Sequence, residues 1–403
     1  MKIAKLGELP PVGEVPDKMH AIVIRQDRYG DPINAMQIEE ISVPEIGDDE
    51  VLVAVKAAGV NYNNVWACAG YPLDLIGLRQ KKGSALDFHI GGSEASGIVY
   101  KTGKSVTNVK IGDEVVIQGG IWDPVEPYVV NGGDPVISSS FLSWGYESNW
   151  GSFAQFCVVK ELQCLPKPGH LSWEEAAVYM LTGATIYRMI NRWQPNVVKK
   201  GTVALVWGGA GGLGVMALQM IREAGGIPVA VVNSDEKKKI CMDLGAVGVI
   251  NRNNYKHWGG MTEGDIHSEE YIEWRKEVVA FNKEILSFTS GVSPSLVIEH
   301  PGESTIPTSL FICSKGGMVV TCGGTSGYVG SFDLRYLWVH QKRIQGSHFA
   351  SYDECYAVNE MIENKRIRPV LSKVYNFDEI PLAHQLMKEN RHPFGNMAIR
   401  IGY

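Results

Sequence analysis

Long apolar runs, paired cysteines and blocks of one charge are all missing from this chain of 403 residues. No stretch approaches the roughly 18 consecutive apolar residues that a membrane-spanning helix requires. No polybasic or amphipathic stretch offers a footing to a nucleic acid or a membrane surface. Cys68, Cys157, Cys164, Cys241, Cys313, Cys322 and Cys355 are odd in number and scattered, and none sits in a C-x-x-C pair. That pattern excludes a disulfide framework and a zinc knuckle and fits a reducing compartment. The opening stretch MKIAKLGELPPVGEVPDK has no apolar core of a secretory leader. These absences lead to the expectation of a cytoplasmic protein with neither nucleic-acid nor membrane partners. What is present is a globular composition, 45% hydrophobic and 20% charged with a net charge of −6. The length exceeds the size at which one core keeps growing, so two domains are expected.

Up to about residue 168 the chain reads as short strands broken by Gly and Pro: HAIVIR, EVLVAVKAAGV, EASGIVYKTG, GDEVVIQGG and SFAQFCVVK. EVLVAVKAA has the alternation of a half-buried strand. LPKPGHLSWEEAA marks a boundary, where Ser172 with Glu175 forms a capping box that opens a helix. Beyond it, GTVALVWG, IPVAVVN, GVIN, SLVIEHPG and GGMVVTCG alternate with helical stretches, which implies a parallel sheet with crossover connections. The polar stretch HWGGMTEGDIHSEEYIEWRKE reads as an insertion, and HPFGNMAIRIGY as a strand-like tail that returns to the first domain. The pattern thus assigns residues 1–170 and 350–403 to a β domain and 171–349 to an inserted, doubly wound α/β domain.

Two stretches carry chemistry. In VALVWGGAGGLGVMALQMIREAGG, Gly209, Gly211 and Gly214 satisfy G-x-G-x-x-G between an apolar strand and a helix. Such a loop turns tightly and brings backbone N–H groups, here around Gly212 and Leu213, to a pyrophosphate at a helix N-terminus. At the end of the next strand, where an acid would take the ribose 2′-OH of NAD, Asn233 and Ser234 stand, followed by Asp235 and then Lys237, Lys238 and Lys239. Small polar groups with Ser234 and Lys237 suit a 2′-phosphate, so NADPH is expected. In GVNYNNVWACAG, residues 59–70, Asn61, Asn63 and Asn64 crowd beside Trp66 at the end of a strand. Asparagines there serve either a turn or a ligand.

A β domain, a nucleotide-binding domain and a returning tail together resemble the medium-chain dehydrogenase/reductase superfamily, with its GroES-like domain and inserted Rossmann-type domain. Zinc members of that superfamily carry a cysteine after the AAG strand and a histidine about thirty residues on. This chain reads Asn61 and Ser93 at those places, and the four-cysteine lobe is missing. A zinc site needs three or four N, S or O ligands, so no metal is expected. VNYNNVW, WGYESNWG, LVWGGAGGLG, EHPG, TSGY, RYLW, KRIQGSHFASY and LSK more closely resemble crotonyl-CoA carboxylase/reductases and related enoyl-CoA reductases.

That resemblance implies hydride transfer from NADPH to the β-carbon of a short-chain 2-enoyl-CoA, with the enolate trapped at its α-carbon by CO2. It implies a CO2 site of Asn61, Tyr146, Glu147 and His348. The Asn amide orients CO2, Glu and His share a water, and the aromatic ring excludes bulk water. Tyr146 replaces the carboxylases' Phe and adds a hydroxyl that is itself a proton source. The resemblance further implies that Arg335 and Tyr336 contact the CoA adenine end, that TSGY lines the nicotinamide crevice, and that the protein is a homo-oligomer, dimer or tetramer. A plain enoyl-CoA reductase and a catalytically silent NADPH-binding relative of quinone reductases remain open alternatives.

Overall fold

The computed structural model describes residues 3–259 and 265–402. The chain forms two compact units, Met1–Ala184 with Phe349–Tyr403, and Thr185–His348. The sequence pattern puts the first boundary near 170, whereas residues 171–184 belong to the first unit. There Ala177 and Val178 pack on Ala57 and Ala398 beside Trp173, and Ser96 Oγ donates to the Trp173 carbonyl at 2.6 Å.

The first unit is built on a seven-stranded sheet. Its path runs Cys164–Pro166, Glu114–Ile117, Ala95–Thr102, Glu50–Gly59, Asn396–Arg400 and Leu371–Asn376, with Phe156–Lys160 also paired to Glu50–Gly59. The returning tail is therefore a strand of this sheet, antiparallel to Glu50–Gly59 through Ala398 opposite Gly59. The alternation expected of EVLVAVKAA is absent. From Val51 to Val55 every residue is buried, as are Ala57 and Ala58. The strand is central, and its C-terminal alanines are small enough for residues 173–178 to close down on it.

The second unit carries six parallel strands in the order Gly248–Asn251, Ile227–Val232, Val203–Val206, Leu296–Glu299, Met318–Thr321 and Arg343–Gly346. The strand order reverses between Val203–Val206 and Leu296–Glu299, which makes their carboxyl ends the switch point where such sheets bind nucleotides. All of VALV and all of LVIE are buried, as strands covered on both faces require.

The stretch expected as an insertion resolves differently. Residues 260–264 of it lie outside the described residues, but Glu269–Phe288 is a 20-residue helix connecting two strands of the sheet. Ser268 Oγ caps it by accepting from the Tyr271 N–H at 3.1 Å. Tyr271, Val278, Phe281 and Ile285 are buried, an i, i+7, i+10, i+14 stripe that the surrounding Glu, Lys and Arg disguise. Phe281 stacks on Trp207 with ring centroids 5.8 Å apart.

Candidate active site

The strand Glu50–Gly59 ends in glycine because a Cβ there would collide with Glu94 Oε1 and come within 2.6 Å of the Ala177 carbonyl. Two residues later the asparagine cluster begins, running into the helix Asn63–Ala69. Each carboxamide has a partner in one short strip, Gly92–Glu94. Asn64 Oδ1 accepts from the Gly92 N–H at 3.0 Å. Asn63 Nδ2 donates to Ser93 Oγ at 2.6 Å, and Asn64 Nδ2 donates to Asn63 Oδ1 at 2.9 Å. Asn61 Nδ2 donates to Glu94 Oε1 at 2.7 Å. Asn61 is therefore held on a buried carboxylate and Ser93 on the Asn63 amide.

The turn Ser143–Glu147 presses on the same strip from another side. Gly145 has φ +66°, and a Cβ on it would run into the Gly92 backbone. Ser152 N–H and Oγ donate to the carbonyls of Gly92 and Glu94, both at 3.0 Å. Tyr146 is only 9% exposed, and its ring lies 6.5 Å from that of Trp66, which in turn meets Tyr62 edge-on at 5.4 Å. Glu147 closes its own turn, with Oε2 accepting from the Ser143 N–H at 2.8 Å. Asn61 and the turn that carries Tyr146 and Glu147 thus both meet one backbone strip, Asn61 through Glu94 and the turn through Gly145. His348 is exposed in the loop after Arg343–Gly346 and is the last residue of the second unit.

Glu94 is 1% exposed. Its second oxygen accepts from the Leu181 N–H at 2.9 Å. Burial pushes the carboxyl up to about 7, while the hydrogen bonds from Asn61 and from the Leu181 and Met180 backbone favour the ionised form.

In the second unit the glycine loop has the expected shape. Gly208 takes φ +58°, with His300 Nε2 within 2.6 Å of where a Cβ would sit, and a Cβ on Gly209 would come within 2.6 Å of Ala230 Cβ. On Gly214 a Cβ would collide with the Gly208 carbonyl. Gly211 caps the helix Gly212–Glu223 with no side chain. Its first-turn N–H groups, on Gly212, Leu213 and Gly214, have no intrahelical acceptor and are available to an anion.

Beside the loop, Glu299 is fully buried and accepts from Gly302 N–H at 3.1 Å, Thr305 Oγ1 at 2.7 Å and Ser309 Oγ at 2.6 Å. EHPG is tied to TSGY through Ser326 Oγ, which donates to the Pro301 carbonyl at 2.7 Å and accepts from the Ser304 N–H at 3.0 Å.

At the next strand end Asp235 is turned away, bonded to Lys238 at 2.9 Å and to Asn251 Nδ2 at 3.2 Å. Lys239 pairs with Asp243 at 2.8 Å. Lys237 has no ion pair among the described residues. The orphaned N–H groups, the glycine cradle and this lysine beside Ser234 fit a dinucleotide with a 2′-phosphate. Arg335 and Tyr336 lie on the helix Leu334–Trp338. The Arg335 guanidinium grips Asp333, with Nη2 to Oδ2 at 2.6 Å. The Tyr336 hydroxyl shares a 2.7 Å hydrogen bond with Tyr271, and its ring meets Phe311 edge-on at 5.0 Å.

Two family models match the chain: the alcohol dehydrogenase GroES-like domain over residues 47–169 and the zinc-binding dehydrogenase model over residues 212–364. A crotonyl-CoA carboxylase/reductase of Cereibacter sphaeroides is 46% identical over 398 residues, covering 98% of this chain and 91% of that protein. This chain belongs to the crotonyl-CoA carboxylase/reductase family. A crotonyl-CoA reductase of Streptomyces avermitilis is 37% identical over 94% of this chain and 87% of its own. Among solved structures, crotonyl-CoA carboxylase/reductase AntE in complex with NADP superposes with a TM-score of 0.94 at 49% identity, covering 99% of this chain and 98% of that one. The 2-octenoyl-CoA carboxylase reductase CinF, in complex with NADP and 2-octenoyl-CoA, gives 0.86 at 35% identity, covering 96% and 88%. Although one matching model is named for zinc, no group of three or more His, Cys, Asp or Glu side chains among the described residues is placed to hold a metal ion.

Within this family member, sequence reasoning missed Glu94 as the partner of Asn61 and Trp66 as the wall beside Tyr146. Both lie next to motifs it used, but their pairing depends on contacts across 33 residues and across two loops. Glu94 also sets a pH dependence. Its folded pKa lies above the ordinary 4.5, so the folded chain keeps a proton that the unfolded chain has released. Stability therefore falls as pH rises from about 4.5 to about 7. Glu94→Gln has no such proton, and its thermal midpoint should decline less over that interval than the parent's. Equal slopes in the two proteins would contradict the assignment.

Proposed function

We infer that this protein catalyses the NADPH-dependent reductive carboxylation of a short-chain 2-enoyl-CoA such as crotonyl-CoA. The observation that carries this reading is an asparagine carboxamide, anchored on a buried carboxylate at 2.7 Å, at the position where a zinc thiolate would stand. An amide N–H does not activate an alcohol, but it does hold and orient a small neutral oxide.

NADPH supplies a hydride when bound. The N–H groups of Gly212, Leu213 and Gly214 with the Gly209 and Gly211 turn hold its pyrophosphate, and Ser234 and Lys237 its 2′-phosphate. Asn61 spends one N–H on Glu94 and directs the other at CO2, turning the electrophilic carbon toward the enolate. Tyr146 with Trp66 keeps bulk water from the carbanion. Glu147 carries a water donor with the oxygen not used by Ser143. His348 joins it, and Arg335 with Tyr336 takes the CoA nucleotide end; these last assignments rest on the motif matches GSHF and RYLW. The protein works as a homo-oligomer, dimer or tetramer, in the cytoplasm. One feature favours the second reading, a plain enoyl-CoA reductase: Tyr146 in place of phenylalanine brings a proton donor to the site.

With crotonyl-CoA and NADPH, product analysis decides between the two readings. Bicarbonate with carbonic anhydrase should shift the product from the saturated to the carboxylated acyl-CoA. Saturated product alone at every CO2 concentration would establish the plain reductase. For the cofactor, kcat/KM with NADPH should exceed that with NADH at least tenfold, about 1.4 kcal/mol, and Lys237→Glu should shrink that preference. Equal efficiency with both cofactors in the parent would overturn the assignment.

A further inference from the structure

We propose that Glu94 is a positioning residue for carboxylation: its carboxylate fixes which edge of the Asn61 carboxamide faces the reacting carbon, and so decides whether the enolate is carboxylated or protonated. This rests on the reading that Asn61 holds CO2 and goes beyond it by naming what makes Asn61 competent.

A primary carboxamide is nearly symmetric in shape and opposite in chemistry at its two ends, so a protein that needs the N–H end in one place must forbid the flip. In its ionised form, the one present above about pH 7, a carboxylate forbids it, because it only accepts. Glu94 Oε1 takes one Asn61 N–H at 2.7 Å, and Oε2 is committed to the Leu181 N–H at 2.9 Å. With both oxygens engaged, the carboxylate cannot rotate away from Asn61 without stranding a buried donor.

The surroundings are built to seat this group. Gly59 leaves the space the carboxylate occupies, and Ser152 Oγ holds the Glu94 carbonyl at 3.0 Å. Asn63 and Asn64 pin the two residues before it. Asn61 itself is 6% exposed, so no bulk water is needed to satisfy the amide's bonded edge.

Glutamine at position 94 has one acceptor for two donors. If its Oε1 stays on the Leu181 N–H, its Nε2 faces Asn61 and draws the Asn61 oxygen inward. The carboxamide then turns over, and an acceptor replaces the donor hydrogen opposite CO2. Hydride transfer to the β-carbon asks nothing of that edge. The enolate formed has its electron pair at the α-carbon and takes either the carbon of CO2, forming a C–C bond and a carboxylate, or a proton from water or a side chain.

The test is a double-mutant cycle read as the ratio of carboxylated to saturated acyl-CoA, with crotonyl-CoA, NADPH and a fixed dissolved CO2 concentration. Asn61→Leu sets the floor. Glu94→Gln should lower the ratio at least tenfold, more than it lowers NADPH consumption, and should raise the KM for CO2 more than that for NADPH. In the Asn61→Leu background, Glu94→Gln should lower the ratio no further, because it acts only through Asn61. Glu94→Asp, which keeps the carboxylate but draws it back from Asn61, should lower the ratio in the same direction and serves if Glu94→Gln does not fold. An unchanged ratio in Glu94→Gln, or an equal loss in both backgrounds, would overturn the positioning role while leaving the carboxylase reading intact. A parent enzyme that forms no carboxylated product would overturn that reading and the proposal with it.

Discussion

A carboxylate removed from water must be met by hydrogen-bond donors, and in this protein the 2.7 Å bond from Asn61 to Glu94 is the one on which the site is arranged. A charge-assisted hydrogen bond of this kind contributes about 1.5–3 kcal/mol, and leaving its buried acceptor unmet costs more than a neutral group would. The bond joins the end of the central strand to the strip Gly92–Glu94. Asn63 and Asn64 clamp the rest of that strip, and the turn carrying Tyr146 and Glu147 is packed on it through Gly145. Asn61 and the turn that carries Tyr146 and Glu147 therefore share one backbone support.

The second unit solves the same problem in the same way. Glu299 is fully buried and has no ion pair among the described residues; a backbone N–H and two hydroxyls hold it, and burial raises its pKa. It thereby ties the strand end Leu296–Glu299 to the helix Ile306–Ile312 and shapes the EHPG turn, whose His300 backs the first turn of the glycine loop. Each unit thus uses one buried glutamate with neutral donors to set a loop geometry. Neutral donors let a loop be rigid without placing a second charge in the buried surroundings, where that charge would interact at low dielectric.

Much of this was legible in the sequence because it depends on local chemistry. The glycine loop announces itself through spacing, the capping box of Ser172 and Glu175 forms as its residues imply, and the tail returns to the first unit because NMAIR is strand-forming and apolar. What was not legible depends on contacts far apart in sequence. EVLVAVKAA looks half-buried alone, and its burial on both faces depends on residues distant in sequence, such as Ala177 and Val178 against Ala57. The helix Glu269–Phe288 hides a four-residue apolar stripe among charged neighbours, too sparse to outweigh them. The asparagines signalled either a turn or a ligand, and the structure shows them doing a third thing first, holding a backbone strip. Among the site residues, Arg335 is gripped by Asp333 two positions earlier, a local pairing that motif resemblance does not reveal.

The central claim is that one enoyl-CoA receives hydride at its β-carbon and that the enolate so formed takes CO2 at the neighbouring α-carbon. The most direct measurement uses NADPH deuterated at the transferred position together with 13C-labelled CO2 and crotonyl-CoA, with the product resolved by mass and NMR. The expected product carries one deuterium on the β-carbon and one 13C carboxyl on the α-carbon of the same molecule. Deuterium at the β-carbon with solvent hydrogen at the α-carbon, and no 13C incorporated at saturating CO2, would contradict the account.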